Sequence, residues 1–305
     1  MPVMKQRTIG SRREFLVAAG GALVGLRAGA ARGAEAEKPV VTFGLVTDCH
    51  YAELDPSAQR YYRESAAKLT ECVAHMNSRG VDFLVELGDF KDQGATAEET
   101  LGFLRSIEAV FRQFKGARYH VLGNHDTDRI SKGQFLENIE NTGIPSSLSY
   151  YAFDKNGVHF VVLDANFKAD GSPYDKGNFD WRAAHVPPEQ LAWLERDLDN
   201  AQRPTVVFIH QLLDADQGDV VVRNASAVRR VLERSGKVRA VFQGHHHEGR
   251  YTLSQGIHYY TLKALIMGSG AQNNAYAVAE VYADGSLKVT GLRRAETRRL
   301  AAPGA

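Results

Sequence analysis

The run VVTFGLVTDCH over residues 40–50 decides the architecture. Val40 to Thr47 is apolar and β-branched, which reads as a strand buried on both faces, and the run then breaks into Asp48, Cys49 and His50. In open α/β sheets the C-terminal edge of the strands is where ligands bind, so a carboxylate and an imidazole at that edge are functional candidates. Working outward, Tyr62, Ala66, Leu69, Val73 and Met76 recur at steps of three and four and predict a helix with one stripe on the core. Asp82–Leu87 reads as a second strand. Thr96 with Glu99 forms a capping box that opens a helix carrying Leu101, Leu104, Ile107, Phe111 and Phe114, and Tyr119–Leu122 reads as a third strand. Asn156-Gly157 predicts a hairpin between 150–154 and 158–164. A second pass follows, with a helix opened by Pro187-Pro188, a strand at 205–209, a helix at 226–234 and a strand at 238–242, then two antiparallel strands around Asp284-Gly285. The alternation predicts a layered α/β domain over 37–305, without internal repeats or a dividing linker.

Composition narrows the class. The chain has 305 residues, 44% hydrophobic and 24% charged, which excludes collagen-like, coiled-coil and wholly disordered proteins. Lys and Arg number 37 against 36 Asp and Glu, a balance that predicts no nucleic-acid surface and no polybasic membrane patch. Two cysteines, Cys49 and Cys72, build neither a disulfide framework nor a four-thiolate zinc site, and both read as small core residues. The first 36 residues have the layout of an export signal: Lys5, Arg7, Arg12 and Arg13, then the apolar run Phe15–Leu26, then small residues with Ala30 and Ala36 each ending an Ala-x-Ala triplet. Arg12-Arg13-Glu14-Phe15-Leu16 resembles the twin-arginine signal, which implies contact with that export machinery and an exported, periplasmic or extracellular product. The apolar run is too short to span a bilayer, so no stable membrane anchor is expected. Cleavage after residue 36 would remove six basic and two acidic residues, leaving 31 against 34 and a net charge of −3.

The chemistry lies where the strands end. Asp48 and His50 follow the first strand, Asp89 the second, Asn124, His125 and Asp126 the third, His210 the fourth, and His245, His246 and His247 the fifth. Taken singly, each can arise by accident at a strand end or in an exposed turn. Together they form a set of carboxylate, amide and imidazole donors with no thiolate, which suits Mn, Fe or Zn and disfavours copper(I) or iron–sulfur chemistry.

In order, the motifs are Asp48-x-His50, Gly88-Asp89-x-x-Asp92, Gly123-Asn124-His125-Asp126, a lone His210 and Gly244-His245-x-His247. This series resembles the calcineurin-like metallophosphoesterase family, and the likeness covers nearly all of residues 40–292. The resemblance implies a four-layer α/β/β/α sandwich with two divalent metal ions at one edge. It places Asp48, His50, Asp89 and His247 on one ion and Asn124, His210 and His245 on the other, with Asp89 bridging. It further implies hydrolysis of a small phosphorylated substrate by a metal-bridging hydroxide. His125 would assist the leaving group, and Asp92 is the candidate for holding its ring in the needed tautomer.

Departures narrow the substrate. Gln93-Gly94 stands where the similar protein Ser/Thr phosphatases have Arg-Gly, which lowers a protein-phosphatase reading. Asp48-x-His50-Tyr51-Ala52 with Arg60-Tyr61-Tyr62-Arg63 is similar to the branch containing manganese-dependent ADP-ribose and CDP-alcohol diphosphatases, whose animal members have Gln where His50 stands. Phosphomonoesterase, phosphodiesterase and nucleotide diphosphatase stay open, as does a periplasmic metal- or phosphate-binding protein without turnover, against which His125 argues. The connection over 166–188 reads either as a substrate lid containing Tyr174, Phe179 and Trp181 or as a loop covering a sheet edge. Residues 267–276 read as a substrate contact or a plain turn, and Tyr61 and Tyr62 as a base platform or packing.

Overall fold

The computed structural model describes residues 38–302. The export signal read over residues 1–36 lies outside them. Two mixed sheets face each other. In the first, β1 (Val41–Val46), β2 (Phe83–Glu86) and β3 (Ala117–His120) run parallel, and β10 (Ala275–Val281), β11 (Leu287–Arg293) and β12 (Arg298–Leu300) extend it antiparallel from β1. In the second, β5 (Val158–Val162), β6 (Thr205–Phe208), β7 (Val238–Gln243) and β9 (Ile257–Thr261) are parallel, flanked by antiparallel β4 (Tyr151–Lys155) and β8 (Arg250–Ser254). Helices α1 (Ser65–Arg79), α2 (Ala97–Phe111) and α3 (Lys132–Asn138) cover the first sheet, and α4 (Pro188–Asn200) and α5 (Ala225–Ser235) the second. This is the expected α/β/β/α sandwich.

Side-chain alternation builds the layers. Along β1, Phe43 and Leu45 point into the space between the sheets, while Val46 and then Cys49 face the helices, where Cys72 of α1 joins them. Both thiols are buried and unpaired. Phe43 is the hinge of the inter-sheet core: it stacks on Phe83 at 5.0 Å and meets Phe160, Phe208 and Phe242 of the opposite sheet edge-on at 5.6–5.7 Å. Such offset and edge-on pairs add to the stabilisation from burial. The helix signals act locally. Thr96 caps α2 by accepting from the Glu99 N–H, although the Glu99 carboxylate reaches Ala95 N–H rather than that of Thr96. Gly80, left-handed at φ +63°, closes α1. Asn156 and Gly157, both at positive φ, make the tight β4–β5 turn.

Truncating Phe43 removes the aromatic contacts that join the two sheets. Phe43→Ala is expected to lower unfolding stability by about 3–5 kcal/mol, read by urea unfolding, whereas Leu253→Ala, at a 57% exposed site, should change it by less than about 0.5 kcal/mol. Equal effects at both positions would contradict this account of the core.

Candidate metal centre

The ends of β1, β2, β3, β6 and β7 converge on one rim, and the chain there is bent in a way that strands do not allow. Asp48, His50, Asp89 and His245 all take positive φ, between 44° and 64°. Each such residue costs of order 1–3 kcal/mol and persists only where the surroundings dictate it. Two motif glycines show how tightly the loops are packed. A Cβ on Gly123 would lie 2.2 Å from both the N and Oδ1 of Asp89, and one on Gly244 would lie 2.1 Å from Thr47 Oγ1. Glycine is therefore a steric requirement at these two positions.

The donors are aimed by their other contacts. Asp48 Oδ2 accepts from Thr47 Oγ1 at 2.7 Å and from the His245 N–H at 3.0 Å, leaving Oδ1 to face the rim. Asp89 Oδ1 accepts from the His125 N–H at 2.8 Å, leaving Oδ2 free. His210 Nδ1 donates to the Leu87 carbonyl at 2.8 Å, which fixes its tautomer and turns Nε2 to within 3.1 Å of Asp89 Oδ2. On the other side, His247 Nε2 lies 3.3 Å from Asp48 Oδ1 and 3.2 Å from His50 Nε2, while His50 Nε2 is 3.6 Å from both Asp48 Oδ1 and Asp89 Oδ2. The donor atoms fall into the sets Asp48, His50, His247 and Asp89, His210, His245, each within 4.8 Å, with Asp89 also beside His50 and His125. The seventh residue expected as a ligand, Asn124, lines the same cavity as Asp89, His245 and His247.

The test of fit is the state of these atoms. Asp48 Oδ1, Asn124 Oδ1, His210 Nε2 and His245 Nε2 are buried without a hydrogen-bond partner. Leaving a buried polar atom unsatisfied costs about 1–3 kcal/mol, and cations held among several such atoms would offset that cost. Two carboxylates, a carboxamide and four imidazoles suit a hard to borderline divalent ion such as Mn, Fe or Zn. Burial opposes charge on His50 and His210, yet the neighbouring carboxylates of Asp48 and Asp92 hold His50 up at about 10, and that of Asp89 holds His210 up at about 9. Burial, reinforced by the charge of His210, pushes His245 down to about 3. Against burial, the histidines keep Asp48 and Asp89 well below the ordinary carboxylate range. The rim therefore presents anionic oxygens to a cation.

Beneath the donors lies a buried scaffold. The Asp126 carboxylate accepts from the N–H groups of Gly123, Asp89 and Phe90 at 2.8, 3.0 and 2.9 Å and so ties the β2 and β3 loops together. Lys91, fully buried, donates to the carbonyls of His125 and Asp128. Asp92 approaches His50 Nδ1 at 3.4 Å and His125 Nδ1 at 3.7 Å, while Asp128 lies 2.8 Å from His125 Nδ1. Asp126 stands in a motif and was legible as a strand-end residue. Lys91 and Asp128 carry no sequence signal of their own.

Four of the donors, Asp89, Asn124, His245 and His247, line a cavity of about 270 Å³ together with His125, Arg60, Trp181, Val220 and His246. Of the three aromatics expected in a lid, only Trp181 reaches it, 38% exposed and edge-on to His245 at 5.5 Å. Tyr174 is buried, stacks on Phe179 at 4.0 Å and packs with the core under the second sheet. Tyr62 packs against the helix layer, and residues 267–276 do not line the cavity.

This fold and site define a metal-dependent hydrolase of phosphoric esters. Residues 41–249 match the calcineurin-like phosphoesterase family, and the chain belongs to it. It is 27% identical to a manganese-dependent ADP-ribose/CDP-alcohol diphosphatase of Oryza sativa subsp. japonica, across 87% of this chain and 95% of that one. It is 24% identical to the protein of the same name in Arabidopsis thaliana, across 77% and 89%. The fold superposes on a dimetal phosphatase from Danio rerio with a TM-score of 0.75, covering 87% of this chain and all of that one at 24% identity. The centre of this family is dinuclear.

Gly123→Ala drives a methyl group into Asp89 and is expected to abolish retention of manganese, read as metal per chain after dialysis. Gly102→Ala, on α2 with nothing within 4 Å of the new methyl group, should retain it fully. Full retention in both would contradict the packing account.

Proposed function

We propose that the protein is an exported, dinuclear diphosphatase that hydrolyses the pyrophosphate bond of small nucleotide-linked substrates. The observation that carries this reading is the makeup of the cavity, with Arg60 and Trp181 on the walls above the donor floor. Arg60 has no carboxylate partner among the described residues, so its guanidinium is free for an anion, and Trp181 offers an exposed ring for a base or an apolar group. A monoester has one phosphoryl group for the metals to hold; a diphosphate has a second for Arg60. The named relatives, diphosphatases of ADP-ribose and CDP-alcohols, support the same substrate class.

In this reading Asp48, His50, Asp89 and His247 would hold one ion, and Asn124, His210 and His245 the other together with Asp89. When bound, two divalent ions lower the pKa of a water and polarise phosphoryl oxygens. The protein's own groups do the rest. Arg60 orients the phosphate that leaves, and His125, a quarter exposed at the cavity, places its ring to protonate the departing oxygen. Asp92 stands behind both His50 and His125.

The mature protein, stripped and reloaded with manganese, is expected to hydrolyse ADP-ribose at least tenfold more efficiently, in kcat/KM, than p-nitrophenyl phosphate. The reverse order would replace the reading with a phosphomonoesterase, and bound metal without turnover on either substrate would refute an enzyme of this class.

Export is read from Arg12-Arg13 and the apolar run behind them. Replacing both arginines with lysine in the full chain should leave the protein unprocessed inside the cell, measured by fractionation, and normal processing would refute the twin-arginine route.

A further inference from the structure

We propose that Lys68 is a positioning residue: through the segment 265–268, whose carbonyls it gathers, it holds Arg60 at the cavity and so sets the preference for a second phosphate. This rests on the reading of the site as a diphosphatase in which Arg60 takes that phosphate.

Lys68 places a buried ammonium outside the metal centre. It stands on the first turn of α1, is buried, and does not line the cavity. A lysine is seldom buried unless its head group is matched, because removing an ammonium from water is costly. Here the partners are backbone carbonyls. Nζ donates to those of Leu265 at 3.0 Å, Met267 at 3.3 Å and Gly268 at 2.6 Å, which uses all three protons of the group on one short segment. Three carbonyls converge on one point only where the chain curls, and Gly268 takes part in that bend at φ +74°.

The curled segment has two neighbours. On one side, the N–H groups of Leu265 and Ile266 donate to the carbonyls of Thr47 and Asp48, both at 3.1 Å. On the other side, the Ile266 carbonyl accepts from the Tyr61 N–H at 3.1 Å, and the Gly268 N–H donates to the Gln59 carbonyl at 2.9 Å. These two bonds bracket Arg60, which pairs with Met267 in an antiparallel bridge.

The two neighbours differ in what else holds them. Asp48 is fixed independently, by its N–H on the Gly88 carbonyl at 3.0 Å and by Thr47 and His245 on its carboxylate. Among the described residues, the other backbone bonds of 59–61 are local: Arg60 pairs with Ser57 in both directions, and the Tyr61 carbonyl accepts from the Glu64 N–H. That turn contains Ala58 and Gln59 at φ +47° and +68°, a strained stretch that persists only where its surroundings dictate it. Releasing the segment therefore moves Arg60 and leaves Asp48 in place. An arginine fork recognises phosphate by its geometry, so a small shift of its backbone anchor is felt at the guanidinium.

The test is the ratio of kcat/KM for ADP-ribose to that for p-nitrophenyl phosphate in the manganese-loaded mature protein. Lys68→Met removes the donors and keeps an unbranched side chain. It is expected to lower the ratio by about tenfold or more, mainly through a higher KM for ADP-ribose, because a charge on the second phosphate acts in ground and transition state alike. Arg60→Ala should lower the ratio at least as far, and Lys68→Met should have no further effect on it in that background. Manganese per chain after dialysis should be the same in Lys68→Met as in wild type. A ratio that stays unchanged in Lys68→Met while Arg60→Ala lowers it, equal losses on both substrates, or a further fall in the Arg60→Ala background overturns the proposal. Lost manganese also overturns it, by showing that the segment serves Asp48 instead. An Arg60→Ala ratio equal to wild type, or wild-type protein inert toward ADP-ribose, would overturn the diphosphatase reading on which the proposal rests. Should Lys68→Met fail to fold, Lys68→Gln, which keeps one donor group, is held to the same outcomes.

Discussion

Desolvation of the donor set is the constraint on which the site depends. Seven side chains from five strand ends crowd into a buried rim, and atoms of Asp48, Asn124, His210 and His245 are left there without hydrogen-bond partners. A protein interior does not tolerate such a group unless something offsets the lost hydration. Two divalent cations would do so for all of these atoms at once, and the pull of the carboxylates on His50 and His210 reflects the same anionic field. Every other feature of the rim follows from holding mutually repelling or unsatisfied groups close together.

What holds them is the rigidity below. The Phe43 cluster locks the two sheets face to face, so the strand ends reach the rim at fixed spacing. Asp126 joins the β2 and β3 loops through three N–H groups, and Lys91 pins the turn that carries His125. Left-handed backbone at Asp48, His50, Asp89 and His245 is strain that this framework imposes and sustains. Metal binding then acts on a site already bent into shape, which limits the ordering cost at that step.

The candidate metal donors stood out in the sequence because each follows a strand that reads as buried, and polar residues placed there need a reason. The third strand was read at 119–122 but lies at Ala117–His120, because Val121 and Leu122 stay buried after pairing ends and burial alone does not mark a strand's end. β8, β9 and β12 left no reading in the sequence: β8 and β12 are short edge strands with mixed, partly exposed sequence, and β9, though buried, is only five residues long; α3 is a seven-residue helix with Gly133 inside it. Arg60 and Trp181 meet only in space, coming from segments some 120 residues apart. Tyr174 shows the converse: an aromatic residue in a long connection reads as a lid, yet it fills the core beneath that connection. Asp128 was hidden because its partner is set by one turn of 3-10 helix, a local conformation that no residue pattern announces.

The central claim is that this rim binds two metal ions between these donors. Anomalous diffraction from manganese-loaded crystals measures it directly. The account predicts two peaks about 3.5–4 Å apart, one beside Asp48, His50 and His247, the other beside Asn124, His210 and His245, with Asp89 reaching both. A single peak, or peaks away from these residues in fully loaded crystals, would contradict it.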